Sequence, residues 1–553
     1  MIDTAWSGVV AQVPPRVRAL VVPVGLVLLA AALRLPNLAA RGTWDGDQGH
    51  DMLMLRDLVR DGVVPLLGPP TSIGDVHHGA LYYYLLAPAA ALTGGDSPFA
   101  VVLSIALLGV AAVVVTWWLA GSVGGPVAGL VAGLAMAVSP AAVDESTFIW
   151  NPNLIALSSA VALAGAWQAW RLRRPRWWLL AAAGVAVTMQ SHVLGVTLLP
   201  VVGALLVADV RRRTSAAERR TLVRVGLAGI LLIAATFMPL VIHELTTGFA
   251  EVQAALAYLR GGGQPPSQGP LARFLFIEAR VVSWPLVGLI VDGVAAAMLS
   301  LVGVFAIVVW RSLTARGDER TVVRWLGIGL VWTALALTFA SPSLATVVRG
   351  LPNDHYHAFA DPMVFVLVGL GASALWRGPA GRWAVAADAD PAARVTGRAA
   401  SVVLGRVLAI TGALAIVAWG ATHQPPAAHP DGGFPGAAAA ADRIEGAAGP
   451  GPIRLLSIPD FKSIESYAYP LVRGGRILER GAAISEATLV QPGTGTGEPE
   501  SLVVICDSLF EVVIGEPCGG PAEVQVAPEL GEPLDRFEAA PGRWISVYRG
   551  SPP

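Results

Sequence analysis

Uncharged apolar stretches alternate with short polar segments along most of this chain. The first runs from Ala19 to Leu33, and comparable runs recur at 98–120, 124–141, 153–170, 177–191, 194–209, 222–243, 284–310, 323–341, 358–376 and 400–420. A spanning helix needs roughly 20 mainly apolar residues. The pattern therefore predicts about eleven membrane helices, the first over 17–38. The two runs flanking Gln190-Ser191-His192 are short and closely spaced. After the last run the pattern changes. A Pro/Ala/Gly-rich stretch at 423–451 reads as a linker. Beyond it, Ile453–Ile458, Leu502–Cys506 and Trp544–Tyr548 read as strands and Ile464–Leu471 as a helix. The expected fold is an α-helical polytopic membrane domain over 1–422, with its first outer loop at 39–97, and a small α/β domain over 452–553.

Composition agrees, with 54% hydrophobic and 14% charged residues, and the distribution of charge sets an orientation. Arg16 and Arg18 precede the first run. Arginine clusters follow at Arg171/Arg173/Arg174/Arg176, Arg211/Arg212/Arg213/Arg219/Arg220/Arg224, Arg311/Arg316/Arg320/Arg324 and Arg377/Arg382/Arg394/Arg398/Arg406. With alternating spans all of them fall on the side of the N-terminus, which the positive-inside rule places in the cytoplasm. Everything after the eleventh span is then extracytoplasmic. There the two cysteines, Cys506 and Cys518, are predicted to form a disulfide, as an even pair does in an oxidising compartment. Ala30-Ala31-Ala32 resembles a cleavage site, but the long apolar run reads as an uncleaved anchor. The arginine-bearing segments are short and hold no Gly-rich phosphate loop or nucleotide motif, so any chemistry faces outward and needs no direct use of ATP.

The outward segments carry the polar residues. The first opens with Trp44-Asp45-Gly46-Asp47-Gln48-Gly49-His50-Asp51. Ionisable groups are costly at a membrane boundary, so a cluster of them suggests a site. Asp47 is the leading candidate for a general base, and Asp45 and Asp51 are neighbours able to raise its pKa. The same spacing equally suits a solvated acidic turn punctuated by Gly46 and Gly49. Residues 51–60 place Met52, Leu55 and Val59 on one helical face, as in a helix lying on the membrane surface. His77-His78 precedes Leu81-Tyr82-Tyr83-Tyr84, a grouping suited to a phosphate or sugar, although tyrosines are also ordinary at interfaces. Further candidates are Asn151 and Asn153 in Trp150-Asn151-Pro152-Asn153, His192, Arg349 and Tyr356. No convincing metal-ligand set is present, while the acidic cluster with His50 leaves a divalent cation open.

These elements, in this order, resemble the GT-C superfamily of membrane glycosyltransferases, in particular the bacterial relatives of protein O-mannosyltransferases and lipid A aminoarabinose transferases. The resemblance covers roughly the first 375 residues and also takes in Ser139-Pro140, Gln190-Ser191-His192, His243-Glu244-Leu245 and Gly248-Phe249. It implies a polyprenyl-phosphate-linked sugar donor, a glycan, lipid or protein acceptor, and single displacement with inversion at the anomeric carbon. The family's Asp-Glu motif falls on Asp47-Gln48, with the Glu replaced by Gln. Where the aminoarabinose transferases carry Glu-Lys before the aromatic run, this chain has His77-His78. Arg349, His78 and His192 are the candidates to stabilise the departing lipid phosphate. The expectation is an outward-facing glycosyltransferase of the bacterial cytoplasmic membrane that needs membrane lipid and no nucleic acid. The rival readings are a lipid or sugar transporter or flippase, whose paired repeats are not evident here, and a non-catalytic envelope scaffold.

Overall fold

The computed structural model describes residues 15–71, 76–262, 268–347, 354–378, 391–459, 464–476, 478–479, 501–526 and 531–550. Among them, six helices are long and apolar enough to cross a membrane: Pro98–Gly124, Val193–Arg212, Val294–Thr314, Gly317–Ala340, Tyr356–Arg377 and Ala399–Thr422. Ala216–Thr236 and Met238–Thr247 together make a seventh, bent by 49°. Leu20–Arg34 and Pro126–Val138 are apolar but shorter, and Ile155–Leu172 and Trp177–Ser191 complete the bundle. Each coincides with a predicted apolar run. One boundary differs. The run at 284–310 belongs to two helices, Pro270–Val287 and Val294–Thr314, because Gly288 (φ 82°) turns the chain between them. Hydropathy does not register a break whose flanks are both apolar.

Arg34, the last residue of the first helix, is completely buried. Pro140 has no N–H, so Met136 O loses its partner one turn on. Arg34 Nη2 fills that place at 3.3 Å, while Nη1 donates to Ala137 O at 3.0 Å. The same guanidinium reaches Ala142 O (3.2 Å) and Ser146 Oγ (3.3 Å). The broken joint between Pro126–Val138 and Pro140–Asp144 is thus closed by an arginine from another helix. Gly109 leaves room for it, since a Cβ there would stand 2.3 Å from Ser146 Oγ.

At the arginine-rich end, Arg311 and Arg377 both pair with Glu319 at 2.8 Å. The remaining loops converge at the opposite end, beneath the C-terminal module. Residues 423–451, expected as a linker, contain the helix Gly433–Ala448, which Ala437 to Ala441 favour by propensity. The module is a five-stranded sheet, ordered β2 (Leu478–Glu479), β1 (Ile453–Ile458), β3 (Ser501–Asp507), β5 (Arg543–Arg549), β4 (Asp535–Ala540). β1 pairs in parallel with β2 and β3, and β5 runs antiparallel to β3 and β4. Cys506 and Cys518 are joined by a disulfide.

The helix Gly46–Arg60 does not lie bare on a membrane surface as its pattern suggested. It is enclosed between the helix Leu81–Ala91 and the module's helix Ile464–Arg473, and Met52, Leu53, Met54 and Leu55 are all buried.

Candidate functional site

The acidic segment starts the helix Gly46–Arg60. Asp45 is its N-cap, accepting from Gly46 N at 2.7 Å, and the Asp45 N–H donates to Gln48 Oε1 at 2.7 Å. This is a capping box. Gln48 then does something glutamate could not. Its Nε2 donates to Ile149 O at 2.8 Å, fastening the cap to the loop that holds Trp150-Asn151-Pro152-Asn153. A carboxylate there would face a carbonyl with no proton between them, which gives a physical reason for Gln at this position. Asp47 lies exposed in the first turn, at the positive end of the helix dipole. Its charge is felt by Asp51, Tyr82 and Tyr83.

Asp51 stands one turn on and is buried. Tyr82 Oη and Tyr83 Oη donate to its two carboxylate oxygens at 2.7 and 2.9 Å. Burial pushes its pKa up to about 8 against those two bonds, with the charge of Asp47 adding to the rise. The fold therefore favours protonated Asp51. That stabilisation is complete below the ordinary carboxylate value of 3.8 and is lost as pH rises through about 8. Asp51→Asn removes the titration, so its thermal midpoint should gain on that of the parent by several degrees between pH 5 and pH 8.5. A gap that stays constant across that range would exclude Asp51 as the titrating group.

The histidines divide into two environments. His77 N–H donates to Glu251 Oε2 and its Nδ1 meets Glu251 Oε1, both at 2.8 Å. Glu251 N donates in turn to Glu244 Oε1 at 2.9 Å, so the segment 244–252 is tied to the first loop through His77. His78 is buried, and desolvation, helped by His77, lowers its pKa to about 3, which leaves it neutral. Its ring lies 4.7 Å from that of His192, which stacks on Tyr356 at 4.4 Å. Tyr356 is 6.0 Å from Trp150. A run of rings thus crosses from the first loop to the fourth. Gly79 N donates to Gln190 O at 3.0 Å, which brings the first loop against the end of Trp177–Ser191.

The asparagines hold loops. Asn151 Nδ2 donates to Ser191 O (2.5 Å) and Asn153 Nδ2 to Phe148 O (2.8 Å). Arg349 lies outside the described residues. The structure therefore brings Asp45, Asp47, Gln48, Asp51, Tyr82 and Tyr83 together around one helix, with His77, His78, His192 and Tyr356 in adjoining contacts. The sequence reading did not single out Glu251, Asp431, Arg543 or Arg34. Glu251 and Arg543 lack local motifs; Asp45-Gly46-Asp47-Gln48, read as a site or an acidic turn, has the spacing of a capping box, a local signal that reading passed over. No group of three or more His, Cys, Asp or Glu among the described residues is arranged to hold a metal ion.

Residues 77–243 match the family model described as dolichyl-phosphate-mannose-protein mannosyltransferase. No curated protein matches the chain. The crystal structure of ArnT from Cupriavidus metallidurans in the apo state is similar at 15% identity and a TM-score of 0.57, with 99% of this chain and 98% of that chain covered. ArnT from the same organism bound to undecaprenyl phosphate is similar at 14% identity and a TM-score of 0.52, covering 97% and 98%. At such identities the likeness is one of fold. The chain is a multi-pass membrane protein with the GT-C glycosyltransferase fold and a small C-terminal sheet domain.

Proposed function

We propose that this protein is an inverting glycosyltransferase. It transfers a sugar from a polyprenyl-phosphate donor to an envelope acceptor at the outer face of the bacterial cytoplasmic membrane. The observation that carries this reading is the place of Asp47, exposed on the first turn of a helix otherwise enclosed at the meeting point of the loops. The fold it shares with an undecaprenyl-phosphate-bound structure supports a lipid-phosphate donor. The arginine distribution supports a cytoplasmic N-terminus and an extracytoplasmic C-terminal module.

In the reaction an acceptor hydroxyl oxygen attacks the anomeric carbon and its proton passes to the Asp47 carboxylate. The bond from that carbon to the phosphate oxygen breaks, and both electrons leave with the lipid monophosphate. One displacement inverts the configuration. The leaving phosphate needs donors. Neutral His78 offers a hydrogen bond without charge, so neutralisation falls to another group, for which Arg349 is the candidate, with His192 beside His78 as a further donor. Asp45 and Gln48 serve by building the cap beneath Asp47, and Tyr82 and Tyr83 by holding Asp51. The sugar can rest against Trp150 and Tyr356, both half-buried. No metal is required by these steps.

The purified protein, given a defined polyprenyl-phosphate sugar and a set of glycan, lipid and peptide acceptors, should release lipid monophosphate and form a product of inverted anomeric configuration by NMR. A product with retained configuration would overturn single displacement. Movement of intact donor across a vesicle bilayer without transfer would instead favour the transport reading.

A further inference from the structure

We infer that Arg543, on the far side of the chain in sequence, is a positioning residue for the reaction: from the C-terminal module it fixes the start of the helix that carries Asp47. This inference rests on the role proposed for Asp47 and adds a function for the C-terminal module.

Arg543 opens β5 and sits opposite Asp507 in the antiparallel pairing of β3 and β5. Its Nη2 donates at 2.9 Å both to Asp507 Oδ2 and to Asp45 Oδ1. One nitrogen therefore joins a carboxylate of the module to the N-cap of the catalytic helix. Nε adds a bond to Asp507 Oδ2 at 3.2 Å, and Nη1 reaches Trp44 O at 3.5 Å. The guanidinium and Asp507 are well buried, at 11% and 8% side-chain exposure, and Asp45 is at 34%. Such a charge pair is shielded from solvent and holds its geometry better than a surface pair.

The surrounding contacts run the same way. Trp44 Nε1 donates to Ser466 O at 2.8 Å, and its ring lies 4.8 Å from Phe434 and 5.7 Å from Tyr469. Asp431 Oδ2 accepts from Thr43 Oγ1 (2.8 Å) and Trp44 N (2.9 Å). Gly49 permits backbone contact, since a Cβ there would stand 1.9 Å from Glu465 O. Residues 43–49 are thus gripped on the side away from the bundle, and Asp47 sits in the middle of the grip. Most of these contacts would hold the module in place without Arg543. Among the described residues, the arginine ties the sheet to the cap itself, with Ser466 Oγ of the module's helix reaching the same Asp45 oxygen at a longer 3.4 Å. Loss of the arginine leaves two carboxylates facing one another across the vacated nitrogen and frees the first turn to shift. Displacements of about 1 Å can cost roughly 10²-fold in rate when the reacting groups are pre-aligned.

The test compares the steady-state kinetics of the full-length protein with those of Arg543→Met, Arg543→Lys, Asp45→Asn and Asp47→Asn. Asp45→Asn keeps the cap, because Asn is an equally good N-cap, but weakens the ion pair. Arg543→Met should lower kcat by about 10- to 100-fold with the donor KM within about twofold, Arg543→Lys should recover much of the loss, and Asp45→Asn should fall between them. If Arg543→Met does not fold, Asp45→Asn carries the same prediction. A kcat within twofold of the parent for the ion-pair variants, while Asp47→Asn is inactive, overturns the inference and leaves the general-base reading intact. So does an equal loss in the Lys and Met variants with donor binding lost as well, the signature of a detached module. Full activity of Asp47→Asn overturns the reading beneath it, whatever the arginine variants do.

Discussion

Asp47→Asn should lose sugar transfer by about 10²- to 10⁴-fold, the range over which a positioned general base contributes. Donor binding should survive. The substitution is nearly isosteric and exposed, and the cap that starts the helix belongs to Asp45 and Gln48 rather than to Asp47. Folding is therefore expected to be unaffected, which makes the variant a clean probe of chemistry. Donor affinity measured with labelled lipid, alongside kcat, separates the two. Transfer at the parental rate would remove Asp47 as the base and return the acidic segment to a structural role.

The largest loss of stability is expected at the C-terminal end of the first helix. Arg34→Met removes the donors that the guanidinium offers Met136 O, Ala137 O and Ser146 Oγ, and one of two from Ala142 O, which keeps its bond from Ser146 Oγ at 2.6 Å, in a site with no access to water. Leaving buried acceptors unpaired costs about 1–3 kcal/mol each before relaxation, so a net loss of about 3–5 kcal/mol is reasonable for this cluster. Arg34→Lys should recover only part, since one ammonium cannot reproduce the planar fork that meets several carbonyls at once. Thermal unfolding in detergent, followed by tryptophan fluorescence, checks both. A midpoint for Arg34→Met within a degree of the parent would mean the joint at Ser139-Pro140 is held by other contacts.

Gln48 illustrates how sequence and structure divided the work. Against the family resemblance it stood out as a departure, a carboxylate exchanged for an amide. In the structure the amide accepts from Asp45 N and donates to Ile149 O, two opposite demands that only an amide meets. The first half, Asp followed three residues later by Gln at a helix start, was readable locally. The second half was not, because Ile149 is 101 residues away. His77 has a similar history: its place before the tyrosine run was visible, and its partner Glu251, 174 residues on, was not. Asp51 looked like a neighbour of the base, yet Tyr82 and Tyr83, 31 and 32 residues on, turn out to hold it.

The sequence by itself determined the membrane spans, because burial in lipid imposes a long apolar run on each helix and the signal is local and additive. It also determined the cysteine pair and three strands of the C-terminal module, β1, β3 and β5, while the short β2 and the edge strand β4 went unread. Tertiary structure alone decided which polar groups meet. Arg34 was one more basic residue at the end of a span until the fold brought four acceptors around it. Arg543 was an unremarked residue near the end of the chain until the sheet set it against Asp45, 498 residues earlier. Directional contacts between distant residues leave no periodicity behind, so their partners become visible only when the chain is folded.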